Sequence, residues 1–120
     1  MRTKRVLICD DEPEIRLLFR VAFEAAGYSV DEASDGLEGI DKAREVQPDL
    51  VVLDLAMPHC DGMAALPRIL AVAPDTHVII VTAYSSVEAL STGRRLGALA
   101  CFRKEDFVPR IPEVWNRFCN

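Results

Sequence analysis

Short apolar runs alternate with longer stretches of helical period along the whole chain. The runs are residues 5–9 (RVLIC), 29–33 (SVDEA), 50–53 (LVVL), 77–81 (HVIIV) and 99–102 (LACF). Three of them are continuous rather than alternating, the pattern of parallel strands covered on both faces. Each run predicts a β-strand.

The stretches between them predict helices. PEIRLLFRVAFEAAG carries Pro13 near its start and Gly27 at its end, with Ile15, Leu18, Phe19 and Ala22 at i, i+3, i+4 and i+7. Leu17 and Val21 lie off that stripe and suggest either a broad apolar face or a patch on which a partner docks. Residues 36–45 place Leu37 and Ile40 inward, and Gln47-Pro48 closes that helix. Residues 62–73 carry Leu66, Ile69 and Leu70 inward, but Pro67 falls in their middle and predicts a kink or a late start. Residues 86–96 contain Gly93, which costs about 1 kcal/mol relative to alanine and predicts a soft or early-ending helix. In the tail, Pro109 and Pro112 place a short final helix at about 113–119.

Five strand-then-helix units imply a doubly wound α/β fold: a parallel five-stranded sheet, helices on both faces and right-handed crossovers. At 120 residues the chain has the size of one domain, so residues 1–120 are read as a single unit. A further output domain in a longer regulator is compatible with this. Half of the residues are hydrophobic and 28% are charged, as in ordinary globular domains. The net charge of −5 argues against a direct grip on nucleic acid. The apolar run after the basic N-terminus is too short for a signal peptide, and no run approaches membrane-spanning length, so a cytoplasmic location without membrane contact is expected. Four cysteines, Cys9, Cys60, Cys101 and Cys119, form no C-x-x-C pair and fit a reducing compartment.

In doubly wound sheets the functional crevice lies beyond the carboxyl ends of the strands. The first strand ends in Asp10-Asp11, the third in Asp54 and the fourth in Thr82-Ala83, while Lys104 follows the fifth. Taken singly, each has a plainer role: a helix cap for the aspartates, a strand end for Thr82, a solvated charge for Lys104. Their convergence after four separate strands favours a site. Carboxylates about 5 Å apart repel by roughly 3 kcal/mol per pair at an effective dielectric near 20, so such a cluster calls for protons or a cation. All-oxygen ligation suits Mg²⁺, and no His/Cys set suits zinc; His59 and Cys60 read as a solvent-facing loop. A carboxylate beside Mg²⁺, a lysine and a hydroxyl is a suitable nucleophile toward a phosphoryl group.

In joint order, VLICDDEP, DLVVLDLAMPHCDG, PDTHVIIVTA and LGALACFRK resemble the receiver domain of two-component response regulators, the CheY-like superfamily, over residues 5–104. The resemblance implies a flavodoxin-like (βα)5 sandwich with strand order 2-1-3-4-5. It also implies transfer of a phosphoryl group from a histidine kinase or phosphotransfer protein onto Asp54. It places Mg²⁺ on Asp10, Asp11, Asp54 and the backbone carbonyl of Ala56, with Asp11 the more direct ligand of the acidic pair. Thr82 matches the family's switch hydroxyl, Lys104 its phosphate-binding lysine, and Met57-Pro58 with Asp61-Gly62 its loop after the phosphorylated residue. Phosphotransfer and dephosphorylation of itself would be the only catalysis, and a downstream protein or fused output domain the target; dimerisation is compatible.

Three positions bear on how such a domain would signal. Cys101 stands where the family's switch aromatic lies, three residues before the lysine, and Phe102 points to the opposite face. Tyr84, two residues after Thr82, is the nearest aromatic, better suited to gate water than to switch. Glu105 replaces the usual proline, so a trans bond is expected after Lys104. These departures support a second reading, an interaction module with idle phosphorylation. A third, a haloacid-dehalogenase-type phosphatase, needs an aspartate two residues after the nucleophile, where this chain has Ala56.

Overall fold

The computed structural model describes residues 3–83 and 86–120. Five strands, β1 (Lys4–Cys9), β2 (Tyr28–Ala33), β3 (Leu50–Leu53), β4 (His77–Thr82) and β5 (Ala100–Arg103), form one sheet of order β2-β1-β3-β4-β5. Every adjacent pair is parallel. Helices α1 (Pro13–Ala25), α2 (Gly36–Val46), α3 (Gly62–Val72) and α4 (Val87–Arg95) make the crossovers. Asp35, Asp61 and Ser86 cap the last three, each side chain accepting from a backbone N–H three residues on.

The continuous apolar strands are explained by two cores, one on each face. Leu7, Cys9, Val51, Leu53, Val78 and Ile80 pack with Ile40 and Ala43 of α2 and Ala65, Leu66 and Ile69 of α3. Val6, Ile8, Leu50, Val52, Ile79 and Val81 face the other way, onto Phe19 and Phe23 of α1 and onto Phe107, Ile111 and Val114 near the C-terminus. Alternate residues of β3 serve opposite cores, so none of its positions is free to be polar until the strand ends, whereas the edge strand β2 carries Ser29, Asp31 and Glu32.

Several expectations need correction. Leu18 is 49% exposed and Leu37 is 46% exposed. The buried face of α1 is instead made by Phe19 and Phe23, with Ile15 and Ala22 beside them. A repeat of i, i+4 and i+8 (Ile15, Phe19, Phe23) satisfies the same sequence equally well, and the aromatic rings at 19 and 23 bury more area than Leu18 would. In α2 the inward stripe is Gly36, Gly39, Ile40 and Ala43. Small residues let this helix approach closely: a Cβ on Gly36 would stand 1.9 Å from the carbonyl oxygen of Cys60.

Pro67 does not delay α3, which starts at Gly62. The fourth helix ends at Arg95, one residue before the expected limit, and its Gly93 lies against Ile80, whose Cδ1 a Cβ would meet at 2.5 Å. The final helix is longer than expected: the chain is helical from Lys104–Phe107 through a 3-10 turn at Val108–Arg110, a turn of α-helix at Ile111–Val114 and a wider π turn at Trp115–Cys119. Pro109 and Pro112 are exposed and fall in the first turns of these short segments, where a missing N–H costs little. We call this run, 104–119, the C-terminal helical run.

Candidate phosphoacceptor site

Strand register brings the expected residues together. Cys9 pairs with Leu53, so Asp10 and Asp54 leave neighbouring strands side by side. The amide of Asp54 donates to the carbonyl of Cys9 at 3.0 Å and extends the ladder by one bond. Thr82 pairs with Arg103, which places Lys104 one residue beyond the sheet edge. Asp10, Asp54 and Thr82 are each at most 2% exposed, and Asp11 is exposed. The capping role considered for the aspartates is not what Asp10 does: its Oδ1 accepts from the Glu12 amide at 2.9 Å, and Glu12 occupies the cap position of α1 with no capping bond from its side chain.

Lys104 organises the cluster. Its Nζ donates to Asp10 Oδ2 at 2.8 Å, to Glu12 Oε1 at 2.8 Å and to Asp54 Oδ2 at 3.0 Å. An ammonium has three hydrogens, and all three are used. Burial alone would push this ammonium down, but the hydrogen bonds to the three carboxylates outweigh it and hold Lys104 above the ordinary lysine value. Asp10 is held above the usual carboxylate range, first by burial and further by the Asp54 charge, against the lowering effect of Lys104. Glu12 was not singled out from the sequence; the signal was the third consecutive acid in DDE.

The loop after β3 shapes the rest. Asp54 Oδ1 accepts from the amide of Ala56 at 3.3 Å, and Ala56 itself is exposed. The amide of Gly62 donates to the carbonyl of Leu55 at 3.1 Å. A Cβ on Gly62 would lie 2.0 Å from the carbonyl oxygen of Asp54, so only glycine lets α3 start this close to the end of β3. His59 has a positive φ of 66° and is exposed, and all four cysteines are free. Between the ends of β4 and β5, Ala83, Arg103, Lys104 and Glu105 line a small cavity of about 140 Å³.

The residues fit a hard divalent cation. Carboxylate oxygens of Asp10, Asp11 and Glu12 lie within 4.8 Å of one another. With Asp54 they make four carboxylates against the single ammonium of Lys104, an excess of negative charge that oxygen-loving Mg²⁺ would neutralise.

The signalling departures are placed as expected where they can be seen. Cys101 packs into the α2–α3 core and Phe102 into the opposite one, its ring 5.3 Å from that of Phe107. No cis peptide bond occurs among the described residues, so Lys104–Glu105 is trans. Tyr84 lies outside the described residues.

Comparison with known proteins adds a family to this geometry. A family model described as response regulator receiver domain matches residues 6–112. The chain is 33% identical over 118 residues to the sporulation initiation phosphotransferase F of Bacillus subtilis, covering 98% of this chain and 95% of that protein. It is 34% identical to the chemotaxis protein CheY of Thermotoga maritima, covering 95% and 96% respectively. Among solved structures it superposes with a TM-score of 0.84 and 25% identity on a chain of the CheX–CheY–BeF3–Mg complex of Borrelia burgdorferi, over 93% of this chain and 89% of that one. Other curated relatives are longer, and the chain spans only 44% to 58% of them.

Proposed function

The chain belongs to the response regulator receiver family, with the role of a phosphorelay receiver, and from that premise we propose that Asp54 is its phosphoacceptor and Mg²⁺ its metal. The observation that carries the assignment is the convergence of Asp10, Glu12 and Asp54 on the one ammonium of Lys104. The phosphotransferase name of the Bacillus relative and the beryllofluoride and Mg²⁺ in the Borrelia complex support it.

In the transfer, an Asp54 carboxylate oxygen attacks phosphorus. The N–P bond of a donor phosphohistidine breaks, its electron pair stays on the imidazole, and an acyl phosphate forms. Lys104 exchanges its bond to Asp54 Oδ2 for one to a phosphoryl oxygen, and the Thr82 hydroxyl donates to another. The carboxylates of Asp10, Asp11 and Asp54, with the Ala56 carbonyl, would hold Mg²⁺, which supplies neutralisation of the phosphoryl oxygens. Glu12 would add a further negative charge beside them. Since α1 follows Glu12 directly, the exposed Leu17, Leu18 and Val21 offer an apolar surface beside the crevice for the kinase or phosphotransfer protein.

The test is mass spectrometry after incubation with acetyl phosphate. The wild type should gain one phosphoryl group when Mg²⁺ is present, and Asp54→Asn should not. Absence of any Mg²⁺-dependent gain in the wild type rejects the assignment. The small half-buried Cys101 at the switch position favours one further reading, a domain that signals mainly by binding.

A further inference from the structure

Two arginines of α1 and a glutamate of β2 meet beside the acidic end of β1. Glu32 shares with Val30 the face of β2 that packs against α1. Its Oε1 accepts from Arg16 Nε at 3.0 Å and its Oε2 from Arg20 Nε at 2.7 Å, so one carboxylate spans two arginines a helical turn apart. The side chains of Arg16 and Glu32 are only 18% and 30% exposed, which shelters this pair from most of the solvent screening that weakens surface ion pairs.

The other arm of Arg16 reaches the crevice. Its Nη1 donates to the carbonyl of Asp10 at 2.7 Å. That carbonyl lies past the end of β1, and no backbone amide among the described residues donates to it. The amide of Asp10 is tied to the other side, donating to the carbonyl of Ala33 at 3.0 Å. A guanidinium is a rigid planar fork, so Glu32, by holding Nε, sets where Nη1 points. The peptide between Asp10 and Asp11 is planar too, and a bond to its carbonyl fixes the orientation of the whole unit.

Asp11 therefore sits between two held peptides. The one before it is held by Arg16, and the one after it presents the Glu12 N–H to Asp10 Oδ1 at 2.9 Å. The Asp11 side chain is exposed and makes no hydrogen bond or ion pair among the described residues. The backbone thus sets where its carboxylate can lie, and that is within 4.8 Å of the carboxylate oxygens of Asp10 and Glu12. Resting on Mg²⁺ as the metal of this cluster, we propose that Arg16 is a positioning residue for Asp11. Its fork, oriented by Glu32, holds the Asp10–Asp11 peptide so that the Asp11 carboxylate faces the ion. By charge alone a guanidinium beside this cluster opposes a cation, so the contribution of Arg16 is one of geometry.

Charge and geometry predict opposite signs, which makes the test direct. Mg²⁺ alone is titrated calorimetrically into the full chain, with urea unfolding of each variant to confirm that it is native under the same conditions. Arg16→Met should weaken Mg²⁺ binding about tenfold, the effect of losing a partner that orients a metal ligand. Arg16→Lys keeps the charge and the stem but lacks the fork, and it should weaken binding about threefold; it also carries the test should the methionine variant not fold. Equal or tighter binding by Arg16→Met overturns the proposal, as does wild-type affinity in Arg16→Lys. A wild type that binds no Mg²⁺ rejects the metal assignment and this inference with it, whereas a wild type that binds while both variants match it overturns this inference alone.

Discussion

Lys104 Nζ and Asp54 Oδ2 stand 3.0 Å apart although 50 residues separate them in the chain. The lysine side chain is 10% exposed and that of Asp54 3%, so this contact is made largely out of water. A buried ion pair of this kind resists removal of one partner more than removal of both, because the survivor is left uncompensated.

Replacing Lys104 with methionine therefore strands Asp10 and Asp54 side by side. We expect the thermal stability of Lys104→Met in chelator to fall by roughly 2 kcal/mol. Added Mg²⁺ should restore more stability to this variant than it adds to the wild type. Calorimetry with and without Mg²⁺ measures both; equal Mg²⁺ gains in the two proteins would separate the metal from this cluster.

Glu12 is half-exposed and shares the ammonium with Asp10. Glu12→Gln should weaken Mg²⁺ binding about fivefold, the effect of one partly screened charge near the ion. Isothermal titration reads this directly, and an unchanged affinity would show that only Asp10, Asp11 and Asp54 matter.

Two glycines should respond in opposite ways to alanine. A Cβ at position 62 meets the backbone carbonyl of Asp54 at 2.0 Å, and backbone cannot move aside cheaply. Gly62→Ala should lose about 3 kcal/mol or more in urea unfolding. At position 93 the obstacle is Ile80 Cδ1, the free end of a flexible side chain, and alanine restores about 1 kcal/mol of helix propensity. Gly93→Ala should stay within about 1 kcal/mol of the wild type.

Tyr28 packs edge-on to Phe23 with ring centroids 4.8 Å apart, and its hydroxyl is buried without a hydrogen-bond partner among the described residues. Burial, with smaller contributions from Cys119 and Asp49, pushes its phenol up to about 12. The folded state then holds this proton more tightly than the unfolded one, whose value is near 10. The contribution is constant below pH 10 and stability falls as pH rises from about 10 toward about 12. Urea unfolding of Tyr28→Phe at pH 8 and pH 11 checks the sign: the loss between the two pH values should be smaller than in the wild type.

Coupling to the outside is the remaining expectation. With beryllofluoride and Mg²⁺, amides of Thr82, Ala83 and residues 101–104 should shift, and Thr82→Ala should remove the shifts at 101–104. Unchanged spectra at these residues in the wild type would favour a domain that signals by binding alone.

The sequence by itself determined the architecture and brought forward most of the residues of the candidate site. Continuous apolar strands can only be covered on both faces, and a strand that ends in aspartate at the carboxyl edge places that aspartate at the crevice. Asp10, Asp54, Thr82 and Lys104 were legible for that reason. Which side of α1 turns inward was not, because Leu18 and Phe23 satisfy the helical period equally and only packing against Phe107 and Tyr28 decides between them. The C-terminal helical run was hidden by two prolines whose cost depends on where each helical turn begins, a matter of local geometry. The share of Glu12 in Lys104 and the carbonyl that forbids a side chain at Gly62 join residues distant in sequence. Their meeting depends on register and helix approach, which hydrophobic periodicity does not encode.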